Sequence, residues 1–228
     1  MAPTSKSTTR FFTERFRVEG TPERAQGMKA YMKSELSFFG VDQAAVRGAC
    51  RDFATLHADA HVDEVLDAVE ALARSPWFEL RSAAIGVLER RKKELGPGHL
   101  ATLLRWVRGM ACWAHVDWIA TKLVGAVIAR HPTERDRLSR WARDPHLWVR
   151  RTALLAQLDE LRSGGGDFAL FEQIAAPMLP EKEFFIRKAI GWVLRETARR
   201  RPELVRRFIA AHGAEMSGLT RREASKYV

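Results

Sequence analysis

The sequence predicts an all-α protein, an α-solenoid of antiparallel helix pairs, and three observations predict it. Apolar residues recur at spacings of three and four, whereas the alternating β-branched runs of strands are missing. Turn-forming residues interrupt this pattern at short intervals, leaving about a dozen helical segments of roughly 10–18 residues. A phrase made of an aliphatic residue, an arginine and a small residue returns with a period of about 35 residues.

The punctuation runs in order through Gly20-Thr21-Pro22, Gly40-Val41-Asp42, Ser75-Pro76, Gly96-Pro97-Gly98, His131-Pro132, Asp144-Pro145, Gly164–Gly166, Pro180 and Pro202. Ahead of the first helix the polar stretch 1–9 reads as a flexible tail. It lacks the apolar core of a secretion signal. Residues 10–228 read as a single domain. The most apolar run, Trp118–Ala129, is interrupted by Lys122 and is too short to span a bilayer.

The repeat is clearest at Val149-Arg150-Arg151-Thr152-Ala153, where Asp144 is expected to cap the helix and Pro145 to open it. It recurs as Val46-Arg47-Gly48-Ala49, Leu80-Arg81-Ser82-Ala83 and Ile186-Arg187-Lys188-Ala189, with a weaker copy at Arg221-Arg222-Glu223-Ala224. One gap, between Arg81 and Arg150, is of double length. With Asp117 of Val116-Asp117-Trp118 counted in, the steps are 34, 36, 33, 37 and 35 residues. The D-P-x-x-x-V-R phrase resembles the HEAT repeat, whose second helices stack to line a concave face. The prediction sharpens to HEAT-like helix pairs around a concave basic groove. Five units offer that groove an arginine. The middle unit offers Asp117.

Charge indicates the partner. The 38 lysines and arginines outnumber 28 acids for a net +10, a field that favours nucleic acid or an anionic membrane surface. Basic runs such as Arg90-Arg91-Lys92-Lys93 and Arg199-Arg200-Arg201 suit helix ends, and some are expected to meet phosphates. Cys50 and Cys112 lie in apolar segments without CxxC spacing, as free thiols do in a reducing cytosol. A cytoplasmic place, in the bacterial cytosol or nucleoid, is expected. The alternation His57-x-Asp59-x-His61-x-Asp63 reads as turn and cap chemistry, and no metal is expected. The glycine-rich phosphate loops and nucleophile motifs of hydrolases are missing, so no cofactor, nucleotide hydrolysis or covalent catalysis is implied.

The chemistry concentrates at Trp113 and Asp117, four residues apart and so on one helical face. A buried acid without a partner is costly, and an indole beside a carboxylate suits a surface that meets solvent or a ligand. Arg151 lies one residue past its repeat arginine and Trp192 five past Arg187, which places both on one stripe. If that stripe faces the groove, one acid is flanked by two indoles and a guanidinium. Trp77, Trp106, Trp141 and Trp148 read as packing residues.

With these residues together, the chain from about residue 10 onward resembles the AlkD-type DNA alkylation repair glycosylases. The likeness rests on Tyr31-Met32-Lys33, Trp113-x-x-x-Asp117, Leu147–Arg151 and the long block Lys182–Glu196. It implies a monomeric, monofunctional glycosylase that excises N3- and N7-alkylated purines, such as 3-methyladenine and 7-methylguanine, from duplex DNA without flipping the base. Asp117, Trp113 and Trp192 match the family's catalytic residues. Arg151 matches its active-site arginine, and Tyr31, Arg47, Arg81, Arg150, Arg187 and Lys188 are the further candidates for DNA contact. The departures are Ala114-His115 beside the first tryptophan, the Gly164–Gly166 insertion and a short last helix. A non-catalytic repeat module that binds damaged or branched DNA is the alternative reading. A protein-binding scaffold fits the positive charge poorly.

Overall fold

The computed structural model describes residues 2–228. Among these residues the regular elements are helices, and extended pairing is limited to one isolated bridge between Ser37 and Trp77. The chain forms two compact units, Met1–Ile119 and Ala120–Val228. None of the described helices is long and apolar enough to cross a membrane.

In the first unit, α1 (Ser5–Glu19) begins earlier than the polar sequence suggested. Thr4 and Ser7 form a reciprocal capping box, and Thr8 is fully buried. Serine and threonine that look like tail composition instead satisfy the amide groups a helix start leaves unpaired. Then come α2 (Pro22–Met32), α3 (Gln43–Leu56), α4 (Val62–Ala73), α5 (Phe78–Arg90), α6 (Leu100–Gly109) and α7 (Trp113–Trp118). Asp42 caps α3 by accepting the amide of Ala45, and Pro22 opens α2 behind its cap Thr21. The phrase-bearing helices α3 and α5 pack side by side, α5 also meets α4 and α7, and α1 lies on α4.

A π-helical stretch, Ile119–Val124, follows α7, and the division between the units falls inside it. The second unit holds α8 (Gly125–Arg130), α9 (Asp136–Trp141), α10 (Leu147–Leu155), α11 (Leu158–Arg162), α12 (Phe168–Ala175), α13 (Phe184–Ala198), α14 (Pro202–His212) and α15 (Gly218–Ala224). Its phrase-bearing helices α10, α13 and α15 are successive neighbours. Gly191 permits the last contact, because a Cβ there would sit 2.7 Å from that of Glu223. Asp144 does not cap α10 as expected. His146 holds the cap position, and Asp144 instead accepts the His146 amide at 2.9 Å inside the turn.

The repeat arginine has a shared structural task. Arg81 Nε donates to the carbonyl of Ser75 at 2.6 Å, Arg150 Nη1 to that of Asp144 at 3.0 Å, and Arg187 Nε to that of Glu181 at 2.7 Å. In each case the acceptor lies six residues upstream, in the turn before the helix. The guanidinium closes that turn by a charge-assisted hydrogen bond to its carbonyl. These three arginines, expected as DNA contacts, thus also have partners inside the protein.

Candidate active site and nucleic-acid interface

Asp117 stands on α7 where other repeats carry the turn-closing arginine, and a carboxylate cannot donate to a carbonyl. The turn ahead of α7 is held from the preceding repeat instead. Arg81 Nη1 donates to the carbonyl of Gly109 at 2.8 Å and lies 3.8 Å from Met110 Sδ. Arg81 is thereby buried, with 9% exposure. With the turn secured from outside, the slot in α7 is available to an acid.

Asp117 is itself only 9% exposed. Its field reaches Cys112, whose thiol is pushed above its usual range first by burial and further by the Asp117 charge, against stabilising amides of Ala114 and His115. Trp113, one turn earlier, is half-buried against Leu36, Phe38, Phe78 and Cys112, with Met28 and Met32 packed on the same cluster. Tyr31 stands edge-on to the Trp113 ring, centroids 6.3 Å apart at 68°, and is 72% exposed. The first unit thus brings Tyr31 to Trp113, and Trp113 shares its helix with Asp117.

Arg47 is exposed on α3 and lines a hollow of about 530 Å³ with Arg51, Arg90 and Lys92. Trp118 borders this hollow, its Nε1 donating to Glu89 Oε2 at 2.8 Å. Gly86 leaves room for Cys50, since a Cβ there would sit 2.8 Å from the Cys50 Sγ, while the Trp118 ring would be in ordinary contact at 3.5 Å. Four cations around one hollow of this size can hold a phosphate ester, which needs charge and several N–H donors. Arg51 was legible as the residue four beyond Arg47. Trp118 was legible as the position one past the repeat origin, the offset that singled out Arg151.

In the second unit Arg151 is buried, with 3% exposure. Its Nη1 donates to the Phe185 carbonyl and its guanidinium lies over the Phe185 ring, 5.6 Å from the centroid. Trp148 meets the same ring edge-on at 4.9 Å. Trp192 is half-buried on α13. Lys188 pairs with Glu223 at 2.8 Å, and Arg150 pairs with Glu181 besides closing its turn. Of the cations expected on DNA, Arg47 is exposed, whereas Arg81, Arg150, Arg151, Arg187 and Lys188 each have partners within the protein.

Sequence reasoning missed Glu79, which is 1% exposed on α5 and accepts the amides of Phe39, Gly40 and Val41 between 2.8 and 3.2 Å. It fastens the connection from α2 to α3. An acid inside the apolar face of a helix was the available signal. In the His57–Asp63 alternation, His61 caps α4 and Asp63 pairs with His99 at 2.8 Å.

The model of a family described as DNA alkylation repair enzyme matches residues 12–228. Among solved structures, a predicted DNA alkylation repair enzyme from Enterococcus faecalis is 26% identical with a TM-score of 0.83, over 92% of this chain and 97% of that one. AlkD2 from Streptococcus mutans is 16% identical with a TM-score of 0.59 over 98% of each chain, a likeness of fold alone. No curated protein matches the chain.

Proposed function

The chain belongs to the DNA alkylation repair enzyme family, and from that premise we propose that it is a monofunctional glycosylase of cationic N3- and N7-alkylpurines in duplex DNA. The observation that carries this reading is Asp117 in the slot of a structural arginine, largely buried and one turn from Trp113. The charge of this acid is felt beside it, where it helps raise the Cys112 thiol.

The substrate's chemistry sets what the protein must do. Alkylation at N3 or N7 leaves the purine positively charged, so the bond from C1′ to the base breaks with both electrons going to a base that departs neutral. No general acid is needed. Positive charge develops on the sugar as an oxocarbenium ion, and a fixed carboxylate lowers the energy of that state. Asp117 would stabilise this charge and accept a proton from the water that attacks C1′, leaving an abasic site and a free base. Trp113 and the exposed Tyr31 would pack against the sugar and backbone of the lesion strand. By the family resemblance Trp192, half-buried on α13, would also contact the lesion strand. The phosphates would be gripped mainly by Arg47, Arg51, Arg90 and Lys92. In this reading the lesion is cleaved without being flipped into a pocket, and the protein acts as a monomer.

The test is release of 7-methylguanine from a methylated duplex. Wild-type protein is expected to free the base and Asp117→Asn to lose that activity while keeping its fold. No release by the wild type, or equal release by the variant, would overturn the reading.

A further inference from the structure

The first unit holds a second hollow, of about 580 Å³, lined by α2 on one side and by α5 and α7 on the other. Trp118 contributes an aromatic ring and Met28 and Met32 polarisable thioethers, whereas the Phe78 ring is stacked on Phe38 at 4.8 Å and lies 4.3 Å from the His115 ring. The lining also includes Gln43 and the paired Arg24 and Asp42, and it holds two buried polar side chains, Ser82 and His115.

His115 is the unusual member. It is 1% exposed, and its Nε2 lies 3.1 Å from the carbonyl of Phe78 and 3.0 Å from Ser82 Oγ. A carbonyl oxygen can only accept, so the ring proton sits on Nε2. Nδ1 is then a bare acceptor, and it has no hydrogen-bond partner in the protein. Burial, with the nearby Arg81 charge, holds the ring's pKa down to about 3, so the imidazole stays neutral. A buried acceptor left without a donor is an uncommon expense in a native fold.

The position of the hollow narrows the occupant. Residues 78, 82, 86 and 90 of α5 succeed one another every four residues, so they share one face. Phe78 and Ser82 line this hollow, Gly86 and Arg90 line the basic one, and Trp118 borders both. A ligand with a flat, uncharged, N–H-bearing ring at one end and a phosphate at the other matches the two neighbouring hollows. We propose that the hollow beside His115 binds a purine base, with a ring N–H donated to His115 Nδ1 and the ring faces against Trp118 and the methionines. The base comes either free, as a released product, or as an unpaired nucleotide of a bound strand. Only its origin in DNA rests on the function proposed above.

Gly27 provides a blocking variant that spares the fold. It lines the hollow from α2, and a Cβ there meets nothing within 4 Å. The probe is 2-aminopurine, offered as the free base and as a single bulged nucleotide in an undamaged duplex. Wild-type protein is expected to change its fluorescence saturably. Gly27→Phe and His115→Phe, each checked by circular dichroism, are expected to bind about tenfold more weakly or worse, the scale of one lost hydrogen bond. A response to the free base identifies a product site, and one to the bulged duplex alone identifies an unpaired nucleotide. No saturable change in either arm, or binding that Gly27→Phe leaves intact, overturns the proposal. Asp117→Asn is expected to keep probe binding while losing base release. If wild-type protein binds the probe but releases no base, the function falls and the site stands.

Discussion

Arg81 donates to the carbonyl of Gly109 at 2.8 Å, and through that bond one repeat fastens the turn from which the next repeat's Asp117 is launched. The same guanidinium closes its own turn at Ser75. A repeat can therefore lose its arginine without losing its turn, provided the preceding one reaches far enough.

Arg81→Met should remove both fastenings, at the carbonyls of Ser75 and Gly109. A loss of about 2–4 kcal/mol is expected. Arg47→Met, at an exposed position on α3, should stay within about 0.5 kcal/mol. Urea denaturation of the two variants side by side checks the contrast, and equal effects would deny Arg81 this role.

Glu79 supports the link from α2 to α3 through three amides. Glu79→Ala should destabilise the protein by about 3 kcal/mol, since three buried donors lose a charged acceptor. Hydrogen exchange should show the largest loss of protection at Phe39, Gly40 and Val41. Protection unchanged there would contradict the assignment.

The basic hollow should register in the salt dependence of DNA binding. Each phosphate contact contributes about 0.9 to the slope of log K against log salt on duplex DNA. Replacing Arg47, Arg51, Arg90 and Lys92 together by alanine should lower that slope by about 3. Replacing Arg187, which is committed to the Glu181 carbonyl, should change it by less than about 1. A slope insensitive to the fourfold variant would move the phosphate grip elsewhere.

His115 predicts an acid-sensitive fold. Its pKa is about 3 in the folded protein against 6.5 for the free side chain, so between those values the unfolded chain binds the extra proton. Stability from this residue is complete above pH 6.5 and falls as the pH drops from there toward 3, at about 1.4 kcal/mol per pH unit. In His115→Gln that part of the slope should vanish. Guanidinium titrations from pH 7 to 4 would show it, and parallel slopes for the two proteins would refute it.

The periodicity that placed Arg47, Arg81, Arg150 and Arg187 at one repeat position also identified neighbouring helices, because a recurring aliphatic-arginine-small phrase needs a recurring environment. It was silent on what the arginines do. A groove-facing cation and a turn-closing cation have the same spacing, and only the carbonyls of Ser75, Asp144 and Glu181 distinguish them. The N-terminal tail failed for a related reason. Ser5, Ser7 and Thr8 have the composition of a flexible segment, and the capping box that orders them depends on side-chain geometry.

What the sequence alone determined is the class and the anomaly: helical pairs at a period near 35, a basic surface, and one acid at position 117 where arginine is the rule. These follow from local periodicity and charge, which a linear chain carries in full. The tertiary structure decided which charges are available and which are already committed. It buried Arg151 against Phe185, left Arg47 exposed, let Arg81 secure the turn before Asp117, and deprived His115 Nδ1 of a partner. Each of these outcomes depends on donors and acceptors some thirty residues apart meeting within about 3 Å, and no spacing along one helix encodes such a meeting.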